Sequence, residues 1–306
     1  MHMILHKEPE IFEQVLAATA AHMELLDVGI VEKDYYVTLF LKQIAQRVPN
    51  VIFKGGTSLS KCHKAIYRFS EDIDLGVETE SARLSEGQRK RLKQVILTII
   101  DEVGFVLKNP EDVRSRHDFN RYLIVFPSAS SYPFIKQHLI VETAVYIKAF
   151  PNEIMDASSY VYEFMLANGA VNEIQQYGLE PFSIKVLSLE RTFIDKVFAI
   201  ADYYLSGQIE AHSRHIYDLY KLYPLITFDH TFRTLVSEVR TIRKPHGACL
   251  SAQEGIDLTA LLRTIRDADF YKADYEKITR TLLFEDAPYA QAVTVLDALL
   301  SCGCFE

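Results

Sequence analysis

The chain has 306 residues, of which 33 are basic and 41 acidic, for a formal net charge of −8; 49% are hydrophobic and 24% charged. That length allows two domains or one large one, and the apolar share is enough to bury a full core. The charge argues against a protein coated in basic residues, although nucleic-acid binding depends on the local field and stays open. Cys62, Cys249, Cys302 and Cys304 form neither a CxxC pair nor a zinc spacing, so reduced thiols are expected. No apolar run reaches membrane-spanning length, and the N-terminus lacks the basic-then-apolar order of a secretory signal. A cytoplasmic protein with no membrane partner is the expectation.

Apolar residues recur at helical spacing in two segments between residues 9 and 47, through Phe12, Val15, Leu16, Ala20 and Met23, then Tyr36, Leu39, Phe40 and Ile44. Short strands are predicted over 51–53 and 73–77, with a short helix between them that Thr57 can cap. A helix follows over 85–103, capped by Ser85, and then strands over 105–108, 119–126 and 137–148. Past residue 185 helices dominate: 189–205, 213–224, 229–241, 256–267, 271–284 and 289–301. Mixed α/β followed by all-α predicts an α+β chain with a domain over 1–185 and a helical domain over 186–306.

The most informative stretch is "FKGGTSLSKCHKAIYRFSEDIDLGV", residues 53–77. Residues i and i+2 of a strand project from one face, so Asp72 and Asp74 point together, roughly 7 Å apart at Cα, while Ile73 packs behind them. Two carboxylates so close repel unless a cation or proton intervenes, and magnesium with oxygen ligands is the usual solution. Gly55 and Gly56 let a triphosphate approach the backbone. The helix start near Thr57 and Ser58 offers amide groups to the same anion, and Lys54 or Lys61 can add positive charge. Alone, the acidic pair reads as an acidic turn; joined to Gly-Gly at this distance, the nucleotide reading overtakes it. Neither a Walker loop nor a G-x-G-x-x-G fingerprint occurs.

Strand, Gly-Gly, helix and then aspartate-x-aspartate on the next strand resembles the nucleotidyltransferase fold of the DNA polymerase β type, a mixed sheet flanked by helices. The wording "KGGTSLSK…YRFSEDIDL" is similar to the AbiEii/AbiGii toxin family, which includes the MenT toxins. The interval from Gly56 to Asp72 fits the longer loop of that branch, and the resemblance runs from "EKDYYVTLFLKQIA" to about residue 222. It implies that Asp72 and Asp74 bind magnesium, with two metals, and the nucleoside triphosphate. It also implies a third carboxylate from a neighbouring strand, for which Glu142 in "HLIVETAVYIK" is the candidate; an edge strand with Glu142 facing water is the alternative. "L-x-x-x-F-x-D-K-x-x-A" followed by "RHIYDLYKL" is similar to the family's two C-terminal motifs. By that match Lys196 contacts the triphosphate and Asp218 completes the site, whereas Arg214 and Asp195 read better as helix ion pairs.

By the same resemblance Ser70 lines the site and can receive a phosphate, although a serine capping a turn is the plainer reading. Arg68 can pair with phosphate or with Glu71, and Glu32, Lys33 and Asp34 of "EKDYY" read as packing and fold support. Asp218 also stands at three- and four-residue spacing from Lys221 and Arg214, the pattern of a solvated helix face. The implied reaction moves a nucleoside monophosphate to a hydroxyl of RNA, the tRNA 3′ end, or of protein, with release of pyrophosphate. Basic stretches that could follow an RNA backbone are Arg83, Arg89, Lys90, Arg91 and Lys93, then Arg240, Arg243 and Lys244, although such runs are more often solvated helix faces. A toxin–antitoxin or phage-defence setting follows from the resemblance, with a cognate antitoxin that acts without a stable complex. The alternatives are transfer of a γ-phosphate to a protein serine, or a binding module that keeps the fold without catalysis.

Overall fold

A computed structural model describes residues 3–25, 27–80, 84–128 and 138–306. Arg83 and the first residue of the strand predicted over 137–148 lie outside these. The chain divides into two compact units: Met1–Cys62 with Glu71–Val186, and His63–Ser70 with Leu187–Glu306.

The first unit contains β1 (Val51–Lys54), β2 (Ile73–Val77), β3 (Val106–Leu107), β4 (Phe119–Val125), β5 (His138–Ala144), β6 (Asn152–Ala157) and β7 (Phe182–Leu187). They form one sheet in the order β3-β4-β5-β2-β1-β7-β6. The sheet is mixed: β1 runs parallel to β7 and β2 to β5, while β1–β2, β3–β4 and β4–β5 are antiparallel. Helices α1 (Pro9–His22), α2 (Val28–Arg47), α3 (Gly55–Lys61), α4 (Glu86–Val103), α5 (Tyr160–Ala167) and α6 (Val171–Tyr177) complete the unit. Ser85 and Gln88 form a reciprocal capping box at α4, and Gly104 ends it in the left-handed region.

Alternation sorts the sheet into two faces. Phe53, Ile73, Leu75, Tyr122, Ile124, Leu139 and Val141 join Phe12, Phe40, Ile44 and Ile96 of the helices in one core. The other face carries Lys54, Asp74, Glu142 and Arg121, none of them fully buried. Between residues 149 and 188 the sequence reading has no element, yet β6, α5, α6 and β7 form there. β6 is an edge strand with only Ala157 fully buried, so it shows none of the alternation that reveals an internal strand.

The second unit is helical: α7 (Leu189–Ser206), α8 (Arg214–Leu222), α9 (His230–Arg243), α10 (Leu258–Asp267), α11 (Lys272–Lys277), α12 (Tyr289–Ala292) and α13 (Thr294–Cys302). Phe193, Ile194, Val197, Phe198, Ile200 and Ala201 make the buried stripe of α7. The single helix predicted over 271–284 is instead α11, a 3-10 turn at Thr279–Leu282 and an extended Leu283 that bridges to Arg68. That over 289–301 divides into α12 and α13. Residues 63–70 are tied into this unit: Phe69 N–H donates to Leu282 at 2.8 Å and Phe284 N–H to Tyr67 at 2.9 Å.

Candidate active site

In the first unit β1 turns directly into α3. Lys54 is the extended cap residue and Gly55 takes φ +82°, so the helix begins two residues before the Thr57 expected to cap it. The reason for a glycine there is steric as well as torsional. A Cβ on Gly55 would lie 2.0 Å from Asp74 Oδ2, far inside contact distance. The Asp74 carboxylate is thus laid over the Gly55 backbone. Thr57 and Ser58 are fully buried, and Ser58 Oγ donates to the Gly55 carbonyl at 2.9 Å. Gly56, Ser70 and Asp72 are half-buried.

Asp74 is the register partner of Lys54 on β1 and of Glu142 on β5, and Glu142 is that of Arg121 on β4. Register partners project from the same face, which sets Lys54, Asp74, Glu142 and Arg121 in one row across four strands. Glu142 is therefore on an internal strand, and its oxygen lies 2.6 Å from the Arg121 guanidinium. Among the described residues no group of three or more His, Cys, Asp or Glu side chains is gathered as a metal cage. Asp72, just before β2, and Asp74, on it, are oxygen donors of the kind a hard divalent cation takes, and Asp74 lies beside backbone with no side chain. Glu142 would have to leave Arg121 to join them.

Two ion pairs start from consecutive residues of α2. Lys33 pairs with Glu71, the residue before Asp72. Asp34 accepts from Lys61 at 2.5 Å and from the Tyr160 amide at 2.8 Å. Lys61 also donates to Thr38 Oγ1 and the Ser158 carbonyl, so it is committed to holding the end of α3 and is not a phosphate ligand. The packing role read for Glu32, Lys33 and Asp34 agrees with their burial, and Glu32 also accepts from Ser128.

In the second unit Asp218 on α8 is fully buried between two cations. Arg68 grips both its oxygens, Nε to Oδ1 at 2.6 Å and Nη2 to Oδ2 at 2.7 Å, and Lys196 Nζ donates to Oδ2 at 2.5 Å. Burial pushes the Asp218 carboxyl up, but the Arg68 and Lys196 charges outweigh it and hold the group well below the usual carboxylate range. Burial lowers Lys196, opposed by Asp218 and assisted by Arg68. Lys196 Nζ also lies 3.5 Å from His215 Nδ1. Burial, then Lys196 and Arg214, press His215 well below its ordinary value, so its ring is neutral and Nδ1 can accept. Tyr203, His212 and His215 stack with their planes within 11°.

Residues 40–298 match the family described as "Nucleotidyl transferase AbiEii toxin, Type IV TA system". The chain belongs to that family. No curated protein matches it. The AbiEii match begins after "EKDYY" and runs through the C-terminal helices, well past the residue near 222 where the resemblance in the motifs ends. Membership makes the protein a nucleotidyl transferase, hence an enzyme with a nucleoside triphosphate substrate, and a toxin of a type IV toxin–antitoxin system. That sets aside the non-catalytic binding module. No helix among the described residues is long and apolar enough to cross a membrane.

Against this AbiEii frame several expectations change. Arg68 pairs with Asp218, and Glu71, the protein partner expected for it, pairs with Lys33 instead. Asp218 does not sit on a solvated face with Lys221, which turns to Glu285 at 3.0 Å. Asp195 is the helix ion-pair residue expected, bridging Arg191 and Arg243, each at 3.1 Å. The basic run loses members as an RNA track: Arg89 pairs with Asp118, Lys93 donates to the Val113 carbonyl, and Arg243 is buried against Asp195 and Asp202. The sequence reading missed His215 and the pairing of Arg68 with Asp218. Arg68 offered a signal, since an arginine four residues before the acidic pair is flanked by the apolar Ile66 and Phe69.

Proposed function

We propose that this AbiEii family member is a magnesium-dependent nucleotidyltransferase of the polymerase β type that moves a nucleoside monophosphate to a hydroxyl of RNA, the tRNA 3′ end first, or of protein. The observation that carries the reading is the Asp74 carboxylate, laid over a side-chain-free backbone at Gly55 and level with Glu142 on the next strand. An acid placed over bare backbone supports the reading, since Gly56 beside it also presents no side chain to an approaching phosphate.

In the reaction the acceptor hydroxyl oxygen bonds to the α-phosphorus, the bond from that phosphorus to the bridging β-oxygen breaks, and pyrophosphate leaves. Bound magnesium would supply charge stabilisation at the attacking and leaving oxygens. Asp72 and Asp74 would hold it, with Glu142 once released from Arg121 as third ligand or as base for the hydroxyl proton. The backbone of Gly55 and Gly56 would face the triphosphate, with Lys54 and Ser70 beside it. Lys196 would meet the phosphates as a charged donor: it has three N–H groups, and among the described residues Asp218 takes one and His215 at most a second. A cognate antitoxin acting without a stable complex, a cytoplasmic site of action and a role in phage defence belong to the same reading.

The test is to incubate the purified chain with magnesium, total RNA, total cell protein and each triphosphate labelled at the α or the γ position. The α label should appear on a product, and nuclease or protease digestion then identifies the acceptor. A γ label on protein would mean phosphotransfer instead, and no label in any product would remove the assignment. An RNA acceptor also requires binding that weakens steeply with added salt.

A further inference from the structure

Asp218 carries more positive charge than an ion pair needs. One carboxylate would suffice for Lys196, yet a second cation, Arg68, is buried with it; Arg68 and Asp218 are 1% and 0% exposed at their side chains. The Arg68 fork takes Oδ1 and Oδ2 together, which fixes the plane of the carboxylate, and Lys196 meets Oδ2, the oxygen shared with Nη2. Arg68 is itself fixed. Its Nη1 donates to the Phe69 carbonyl at 3.0 Å, and its backbone bridges to Leu283 between the hydrogen bonds of Tyr67 and Phe69. A carboxylate held in plane by a fixed fork presents Oδ2 to Lys196 in one orientation.

We propose that Arg68 is a positioning residue for the nucleotidyl transfer: by clamping both oxygens of Asp218 it directs the ammonium of Lys196 toward the triphosphate. This rests on the reading of Lys196 as a phosphate contact. The charged groups facing Lys196 are Asp218, Arg68 and Arg214, with neutral His215 beside them. Removing the Arg68 charge leaves Asp218 to Lys196 alone and so favours the protonated amine. A lysine at 68 keeps the charge but cannot form the fork.

Two variants test this, Arg68→Lys and Arg68→Met, each checked for folding by thermal melting. The first readout is steady-state transfer from the triphosphate. Arg68→Lys should fold but lose at least about tenfold in kcat/KM, and turnover within about twofold of the parent would overturn the proposal. The second is the pH dependence of Lys196 acetylation by acetic anhydride in the folded protein, read by mass spectrometry. Its midpoint should rise in Arg68→Met, and an unchanged midpoint would overturn the proposal; a merely structural arginine is told apart by Arg68→Lys, which would then keep its turnover wherever it keeps the parent's melting temperature. If Arg68→Met does not fold, the Arg68→Lys turnover decides. If the parent transfers nothing to any acceptor, the nucleotide reading has failed, while the acetylation midpoint still judges the clamp.

Discussion

The carboxylate of Asp74 occupies the space that any side chain at residue 55 would need, with Oδ2 2.0 Å from the position of a Cβ there. Gly55 also has φ +82°, a region L side chains rarely adopt. Gly55→Ala should therefore strain the turn, destabilise the fold by about 1–3 kcal/mol and push Asp74 out of place. Transfer activity should fall with it. Adding Asp74→Ala relieves the clash, so the double variant should regain part of its stability in urea denaturation and none of its activity. A fully active Gly55→Ala would mean that Asp74 need not lie over this backbone.

Glu142 is level with Asp74 but held by Arg121, whose side chain is 57% exposed. An ion pair with one partner so exposed contributes only about 0–1 kcal/mol, so Arg121→Met should scarcely change the melting temperature. If Glu142 is a metal ligand, releasing it should lower the magnesium concentration that gives half-maximal transfer. An unchanged magnesium requirement would leave Asp72 and Asp74 as the ligands without Glu142.

The Asp34–Lys61 pair is a different case, since both side chains are nearly inaccessible, at 6% and 5% exposure. Lys61→Met strands a buried carboxylate and should cost about 3–5 kcal/mol in chemical denaturation. Because Lys61 ends α3, the helix that starts at Gly55, a milder Lys61→Arg should reduce transfer more than it reduces stability.

His6 sits among Phe12, Tyr35, Tyr36 and Phe105, with Nδ1 3.1 Å from the Tyr35 hydroxyl. Burial, then the charge of Lys7, bring the ring from 6.5 down to about 4, against a backbone hydrogen bond at Val103. A folded value below the unfolded one means that the unfolded chain takes up a proton the folded chain refuses. Stability is unaffected above pH 6.5, declines as pH falls toward 4 and levels below it. The full effect is about 2–3 kcal/mol after allowing for partial exposure. His6→Gln should flatten that part of the stability–pH curve, and a curve identical to the parent would assign the acid sensitivity elsewhere.

Much of this was legible in the sequence because it is local. The short strand over 73–77, the alternation around Glu142 and the helical periodicity of α1, α2 and α7 depend only on neighbours in the chain. What was not legible depends on distant partners: Lys33 meets Glu71 and Lys61 meets Asp34 across intervals that no local pattern encodes. Residues 63–70 read as a loop, yet they pair with Leu282 and Phe284. Arg243 looked like part of a basic surface run. It lies at helical spacing from Phe232, Val236 and Val239, which puts it on the buried side of α9, over the Phe198 ring.

The central claim is that the carboxylates at 72 and 74 hold magnesium against a triphosphate. Isothermal titration of each triphosphate into the protein, with magnesium and with EDTA, tests it most directly when repeated on Asp72→Ala and Asp74→Ala. The account predicts magnesium-dependent binding by the parent and its loss in both folded variants. Binding that ignores magnesium, or that survives in both variants, would contradict it.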